Sequence, residues 1–152
     1  MYRLVIPIFL SLMFSAFSGN NKLTVPSSVV AQDTIYSDGT WEGSSRAAYT
    51  DEPYWGKVKV TIKNGIVKDV TFSIRDSAKH ETFDARYERH FADIPEYVEQ
   101  CRNDLKGVRA YPSMLLKNRR TMQVDAISGA TWSYNIFIAS LKDALGKAIT
   151  IK

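Results

Sequence analysis

The clearest pattern of polar and apolar positions lies near the middle of the chain. Lys57-Val58-Lys59-Val60-Thr61-Ile62-Lys63 alternates without a break, which is the period-two signature of a strand with one buried face. Asn64-Gly65 follows, and both residues tolerate the positive φ of a type I′ hairpin turn. The returning stretch, Val67 to Ile74, puts Val70, Phe72 and Ile74 on one face and Asp69, Thr71 and Ser73 on the other. A two-stranded hairpin is therefore expected here. Ahead of it, Asp38-Gly39-Thr40-Trp41-Glu42-Gly43 sets turn residues around an aromatic, with a strand expected over Ser44 to Tyr49.

Behind the hairpin the period lengthens. Thr82 to Phe91 and Pro95 to Leu105 read as helical, with Pro95 at a tolerated first-turn position. The second carries an apolar stripe of Ile94, Val98, Cys101 and Leu105. Tyr111-Pro112 marks a turn within a less regular stretch, Arg109 to Gln123, where Met114, Leu115 and Leu116 supply core material. The last helix follows the small-residue turn Ser128-Gly129-Ala130. Its apolar positions Tyr134, Ile138, Leu141, Leu145 and Ala148 alternate steps of four and three, one face of an α-helix. Lys142 and Lys147 fall late in it, where cations suit the negative end of the helix dipole. The fold class predicted is α+β, an antiparallel sheet packed with helices and closed by a C-terminal helix.

The first residues have a different character. Arg3 precedes a charge-free apolar run, Leu4 to Phe17, and Ala16-Phe17-Ser18 offers small residues to a signal peptidase. The run is 14 residues long, short of the roughly 20 that span a bilayer. Residues 1–18 are read as a signal peptide, with retention as an uncleaved anchor the alternative. Residues 19–33 are read as a linker, and residues 34–152 as one domain. The protein is expected to be exported, to the periplasm or cell surface.

Composition narrows the function. The chain is 45% hydrophobic and 12% aromatic, enough for a core. Its net charge of +4 comes from 20 basic and 16 acidic residues that are interspersed, which gives no nucleic-acid footprint. The single cysteine, Cys101, cannot form an internal disulfide, and its place on an apolar stripe reads as a buried structural thiol. His80 and His90 are the two histidines, and no acid or Cys cluster falls beside them at ligand spacing, so no metal site is expected. No nucleophile is paired with a His in the manner of a hydrolase. Lys117, Arg119 and Arg120 form a basic cluster, read as a solvated loop or, less often, a docking face for an acidic redox partner or a membrane surface.

Chemistry concentrates in Asp125-Ala126-Ile127-Ser128-Gly129-Ala130-Thr131. A small-residue turn delivers the Thr131 hydroxyl to a helix start, where unpaired N–H groups and the positive dipole end favour a phosphate. The same residues are also ordinary helix caps. The stretch resembles the attachment motif of the FMN-binding domain family, Asp-x-x-Ser/Thr-Gly-Ala-Thr/Ser. That family includes the covalently flavinylated subunits of sodium-pumping NADH:quinone reductase and of the Rnf complex. The opening Asp-Gly-x-Trp-x-Gly, the alternating strand, Asn-Gly and the second strand resemble the family too, so the likeness spans about Asp38 to Ile149.

The resemblance implies FMN held by a phosphoester on Thr131, installed by a separate FAD-dependent flavin transferase. It places Ser128, Gly129, Ala130 and Asp125 around the attachment point. Asp125 would orient the acceptor loop or help the transferase and its divalent metal reach the hydroxyl; a plain turn former is the alternative. His80, Glu81 and Thr82 correspond to a segment near the flavin in relatives, although Phe83-Asp84-Ala85-Arg86 stands where relatives tend to have Pro-Gly. Trp132 and Tyr134, with Trp41, Tyr49 and Trp55, are candidates for an aromatic wall against the isoalloxazine. The function implied is electron carriage between membrane or cell-surface redox proteins. Two alternatives stay open: a reductase component binding FMN noncovalently, and a cofactor-free secreted interaction module.

Overall fold

The computed structural model describes residues 36–149; the expected signal peptide and linker lie outside the described residues. Four strands form an antiparallel sheet in sequence order: β1 (Gly39–Ser44), β2 (Tyr54–Lys63), β3 (Ile66–Asp76) and β4 (Glu81–Thr82). A 3₁₀ turn (Tyr87–Phe91) and two helices follow, α1 (Pro95–Lys117) and α2 (Thr131–Ala148). Both helices pack on the sheet, and the architecture is α+β with the second helix at the C-terminal end.

The β2–β3 hairpin follows from local chemistry. Asn64 and Gly65 have φ of 54° and 65°, which joins Lys63 to Ile66 in two residues. Val58 faces Phe72 and Val60 faces Val70, and a bulge at Thr61/Ile62 shifts the register so that Ile62 meets Val67. Val58, Val60, Ile62, Val67 and Ile74 are each at most 1% exposed. Burying a side chain of that kind contributes about 1.5–3 kcal/mol. Lys57, Lys59, Lys63 and Arg75 lie on the exposed face.

Four expectations are corrected. The first strand is Gly39–Ser44, whereas Ser45 to Tyr49 turns; the Ser45 hydroxyl accepts from the Gly56 N–H at 2.8 Å and bends the chain there. Thr82 to Phe91 is not one helix: Thr82 pairs with Arg75 in the sheet, and the remainder makes only the short 3₁₀ turn. Helix α1 does not end near Leu105 or turn at Tyr111-Pro112; it runs to Lys117 with Pro112 inside. The missing N–H of Pro112 is outweighed because Tyr111 and Leu115 on either side are wholly buried. Its buried stripe is also displaced, through Asp104, Val108, Tyr111 and Leu115, while Ile94 is exposed and Cys101 half-buried.

Helix α2 seats through small residues. Its buried positions include Ser133, Phe137, Ser140, Leu141 and Ala144, with Tyr134, Ile138 and Leu145 only partly covered. A methyl at Gly43 would lie 2.1 Å from the Ser140 carbonyl oxygen and 2.4 Å from the Ala144 nitrogen. At Gly56 it would meet Ser140 Oγ at 2.5 Å, and at Gly107 of α1 it would meet Ser133 Oγ at 2.6 Å. The sheet and α1 thus approach α2 at backbone distance. Phe137 fills the centre, edge-on to Phe72 and stacked on Tyr111 with ring centres 5.0 and 5.5 Å away. At the far end, Asp143 accepts the Ser44 N–H at 2.8 Å and pairs with Lys147, whose ammonium also donates to the Glu42 carbonyl.

Candidate functional site

The loop before α2 is held from three sides. The Tyr111 hydroxyl donates to the Ala130 carbonyl at 2.8 Å and accepts from the Ile127 N–H at 3.4 Å. Tyr134 donates to the Val124 carbonyl at 3.0 Å. Gln100 donates to the Gly129 carbonyl at 3.1 Å. Gly129 has φ 79°, a conformation that favours glycine, and Ala130 is buried at the N-cap. The sequence motif therefore has a built geometry. Its central residues are pinned while Asp125, Ser128 and Thr131 remain exposed. Thr131 is the first residue of α2.

The side chain that caps this helix comes from elsewhere. Asp104 of α1 is 2% exposed. Its Oδ1 accepts the Ser133 N–H at 3.0 Å and the Ser133 hydroxyl at 2.9 Å, and its Oδ2 accepts from Gln100 at 2.5 Å. A carboxylate against a helix N-terminus is favourable both as a hydrogen-bond partner and against the dipole. It takes the third N–H of the helix and leaves those of Thr131 and Trp132 for another acceptor.

Beside Thr131 an open cavity of about 370 Å³ lies among the 3₁₀ turn, α1 and the first turn of α2. Trp132, Phe83, Tyr54 and Tyr87 form one side, and Phe91, Tyr97 and Cys101 another, with Gln100 and Asp104 behind. The rings fix one another: Trp132 stands edge to face 5.3 Å from both Tyr54 and Phe83, and Phe83 lies tilted 5.1 Å from Tyr87. The size lies within the usual range for small-molecule sites, about 300–1,000 Å³. Three hydroxyl and carboxylate groups support that wall. Tyr87 donates to Asp76 at 2.5 Å, and its oxygen lies 3.0 Å from that of Tyr54. Burial would push the Asp76 carboxyl up, but the Tyr87 hydroxyl and the N–H groups of Lys79 and Ala78 hold it below the usual carboxylate range. Tyr87 is pushed far above the ordinary phenol value by burial and by Asp76. Burial, with Asp104 and Glu88 nearby, also raises the Cys101 thiol.

The predicted site residues thus divide. Thr131, Ser128, Gly129, Ala130 and Asp125 share the pinned loop, and Trp132 joins it to the cavity. His80, Glu81 and Thr82 lie at the sheet edge just before Phe83, which does line the cavity. Glu81 is paired with Arg89 and His90 of the 3₁₀ turn, and His80 is exposed with φ 57°. Tyr134 faces Tyr111 and the core, Trp41 donates to the Ser37 carbonyl, and Trp55 lies under Arg46. The wall comes instead from Tyr54, Phe83, Tyr87 and Phe91. Asp104 had one visible signal, an acid at the spacing of the stripe Cys101, Val108, Tyr111. Among the described residues, no group of three or more His, Cys, Asp or Glu side chains is arranged for a metal ion.

The fold is similar to that of the CPE2226 protein from Clostridium perfringens, with a TM-score of 0.56 at 15% identity, covering 75% of this chain and 89% of that one. No curated protein matches the sequence. The sequence pattern of the FMN-binding domain matches residues 54–146. That span begins at β2, so the Asp38–Gly43 opening lies ahead of the match, while the cavity and the Ser-Gly-Ala-Thr loop fall inside it. The chain belongs to the FMN-binding domain family.

Proposed function

We propose that this protein is an exported electron carrier whose FMN is esterified through its phosphate to Thr131. One observation supports this above the rest: an exposed hydroxyl opens α2, and the very next side chain, Trp132, walls an aromatic cavity of flavin-compatible size. Bound FMN supplies one- and two-electron redox chemistry. The chain's own residues do the remainder. Tyr111, Tyr134 and Gln100 hold the acceptor loop open to a transferase, Asp104 fixes the helix start, and the aromatic wall shields one side of the ring from water. Asp125, exposed on the same loop, is positioned to assist the FAD-dependent flavin transferase. The tether prevents loss of flavin by dilution outside the cytoplasm. Electrons would pass to and from redox proteins at the membrane or cell surface. Among the described residues no helix is long and apolar enough to cross a membrane.

The test is the intact mass of protein made in an exporting host with an active flavin transferase, beside Thr131→Ala. An increment of one FMN less one water in the wild type, missing from the variant, is expected. An unmodified wild type beside a control substrate that is flavinylated would overturn the covalent assignment. Retained yellow colour in that case would favour noncovalent binding.

A further inference from the structure

We infer that the cavity receives the isoalloxazine by its dimethylbenzene edge and leaves the pyrimidine edge, with its two carbonyls, at the mouth. The inference rests on the FMN reading above. What carries it is where the hydrogen-bond donors are. The surface facing the cavity is almost wholly apolar, and the polar side chains behind it have committed their protons to one another. Tyr87 has one hydroxyl proton, and the Asp76 carboxylate at 2.5 Å takes it. The 3.0 Å contact between Tyr87 and Tyr54 is then made by the proton of Tyr54. Gln100 has two amide protons; one goes to Asp104 and the other to the Gly129 carbonyl. Asp104 only accepts.

The uncommitted side-chain oxygen and nitrogen donors of the lining are the Tyr97 hydroxyl and the Trp132 indole N–H. The free backbone N–H groups of Thr131 and Trp132 sit at the helix start, where the phosphate on Thr131 would take them. Tyr97 is 55% exposed. Among the described residues no fully buried side-chain nitrogen or oxygen lacks a partner, so the Trp132 N–H is reached by solvent. Tyr97 belongs to the rim, and the Trp132 N–H is the one side-chain oxygen or nitrogen donor left to the cavity wall itself.

An isoalloxazine inserted by its pyrimidine edge would bury two carbonyl acceptors against a wall with one side-chain oxygen or nitrogen donor to give, the Trp132 N–H, so at least one carbonyl would bear its full desolvation cost. It would also bring the ring nitrogen and carbonyl that carry negative charge after reduction towards Asp104, with no cation in the lining to compensate. Inserted by the other edge, two methyl groups and aromatic carbon meet Tyr54, Phe83 and Trp132, and the carbonyls keep water or the rim donor.

The experiment is NMR on the flavin-loaded wild type, prepared with isotope-labelled FMN. Nuclear Overhauser contacts from the two ring methyl groups to ring protons of Tyr54, Phe83 and Trp132 are expected. The N3–H of the pyrimidine ring should exchange with water within about twofold of free FMN. Methyl groups without those contacts, or an N3–H protected about tenfold or more, would overturn the orientation while leaving the FMN reading intact. Protein that neither attaches nor retains FMN would overturn both together.

Discussion

Asp104 meets two donors from Ser133 and one from Gln100 at the start of α2, so one side chain from α1 sets both the helix cap and the rear of the cavity. Hydrogen bonds to a charged group are worth about 1.5–3 kcal/mol. Asp104→Ala is therefore expected to lower the unfolding free energy by about 2–3 kcal/mol, measured by urea titration. A change near zero would show that the cap contributes nothing. Tyr87 and Asp76 make a second such pair, with a pH signature. The folded Asp76 carboxyl is held below its ordinary value of 3.8, so its stabilisation is complete above that pH and is lost as pH falls through the folded value. Tyr87→Phe should accordingly be destabilised at pH 7, and the gap between variant and wild type should narrow as the pH approaches 3. A gap constant from pH 7 to 3 would refute the coupling. Such pairs are poorly legible in sequence, because Tyr87 and Asp76 are brought together by the sheet edge and not by spacing. The Asp125–Thr131 motif, being local, could be read directly.

At the scale of elements, local and tertiary signals part company. Asn64-Gly65 specifies its turn unaided, and the alternation of Lys57 to Lys63 specifies its buried face. Pro112 carries an equally strong local signal that is overridden, because the helix around it anchors Tyr111 and Leu115 in the core. The stripe on α2 was legible as a helix but misplaced in rotation. Sequence pattern weights large apolar residues, whereas this contact is made by Ser133, Ser140 and Ala144 against glycines. Two glycines make the contrast testable. Gly43→Ala forces a methyl onto the backbone of α2 and is expected to cost about 3 kcal/mol or more. Gly146→Ala, with open space at the added methyl inside the same helix, should stabilise by about 0.5–1 kcal/mol. Thermal or urea unfolding of the two variants checks both signs, and a tolerated Gly43→Ala would contradict the close seating.

Over the described residues the domain has two faces of unlike character. The outer face of the sheet is lysine-bearing and solvated, while the helical side collects the aromatic residues that line the cavity. These came from β2, the segment after β4, the 3₁₀ turn, α1 and α2, five separated stretches, and so no window of sequence displayed the wall as a unit. Seating a ring against that wall buries apolar surface in the folded state alone, so the flavinylated protein should melt above Thr131→Ala, which lacks the tether. For a domain near this size each 1 kcal/mol is worth about 4–8 °C; equal melting temperatures by differential scanning calorimetry would mean the ring lies off the wall. The seating of α2 on Gly43 bears on inheritance as well as on packing. Ala144 and Thr131 lie at opposite ends of a rigid rod, roughly 20 Å apart at 1.5 Å per residue, so a lesion under one end displaces the hydroxyl at the other. With flavin on Thr131 as proposed, a genetic screen for colourless colonies would recover Gly43 alongside the Ser128–Thr131 loop, and its alleles would resemble loss of the cofactor although the residue lies at the far end of the helix.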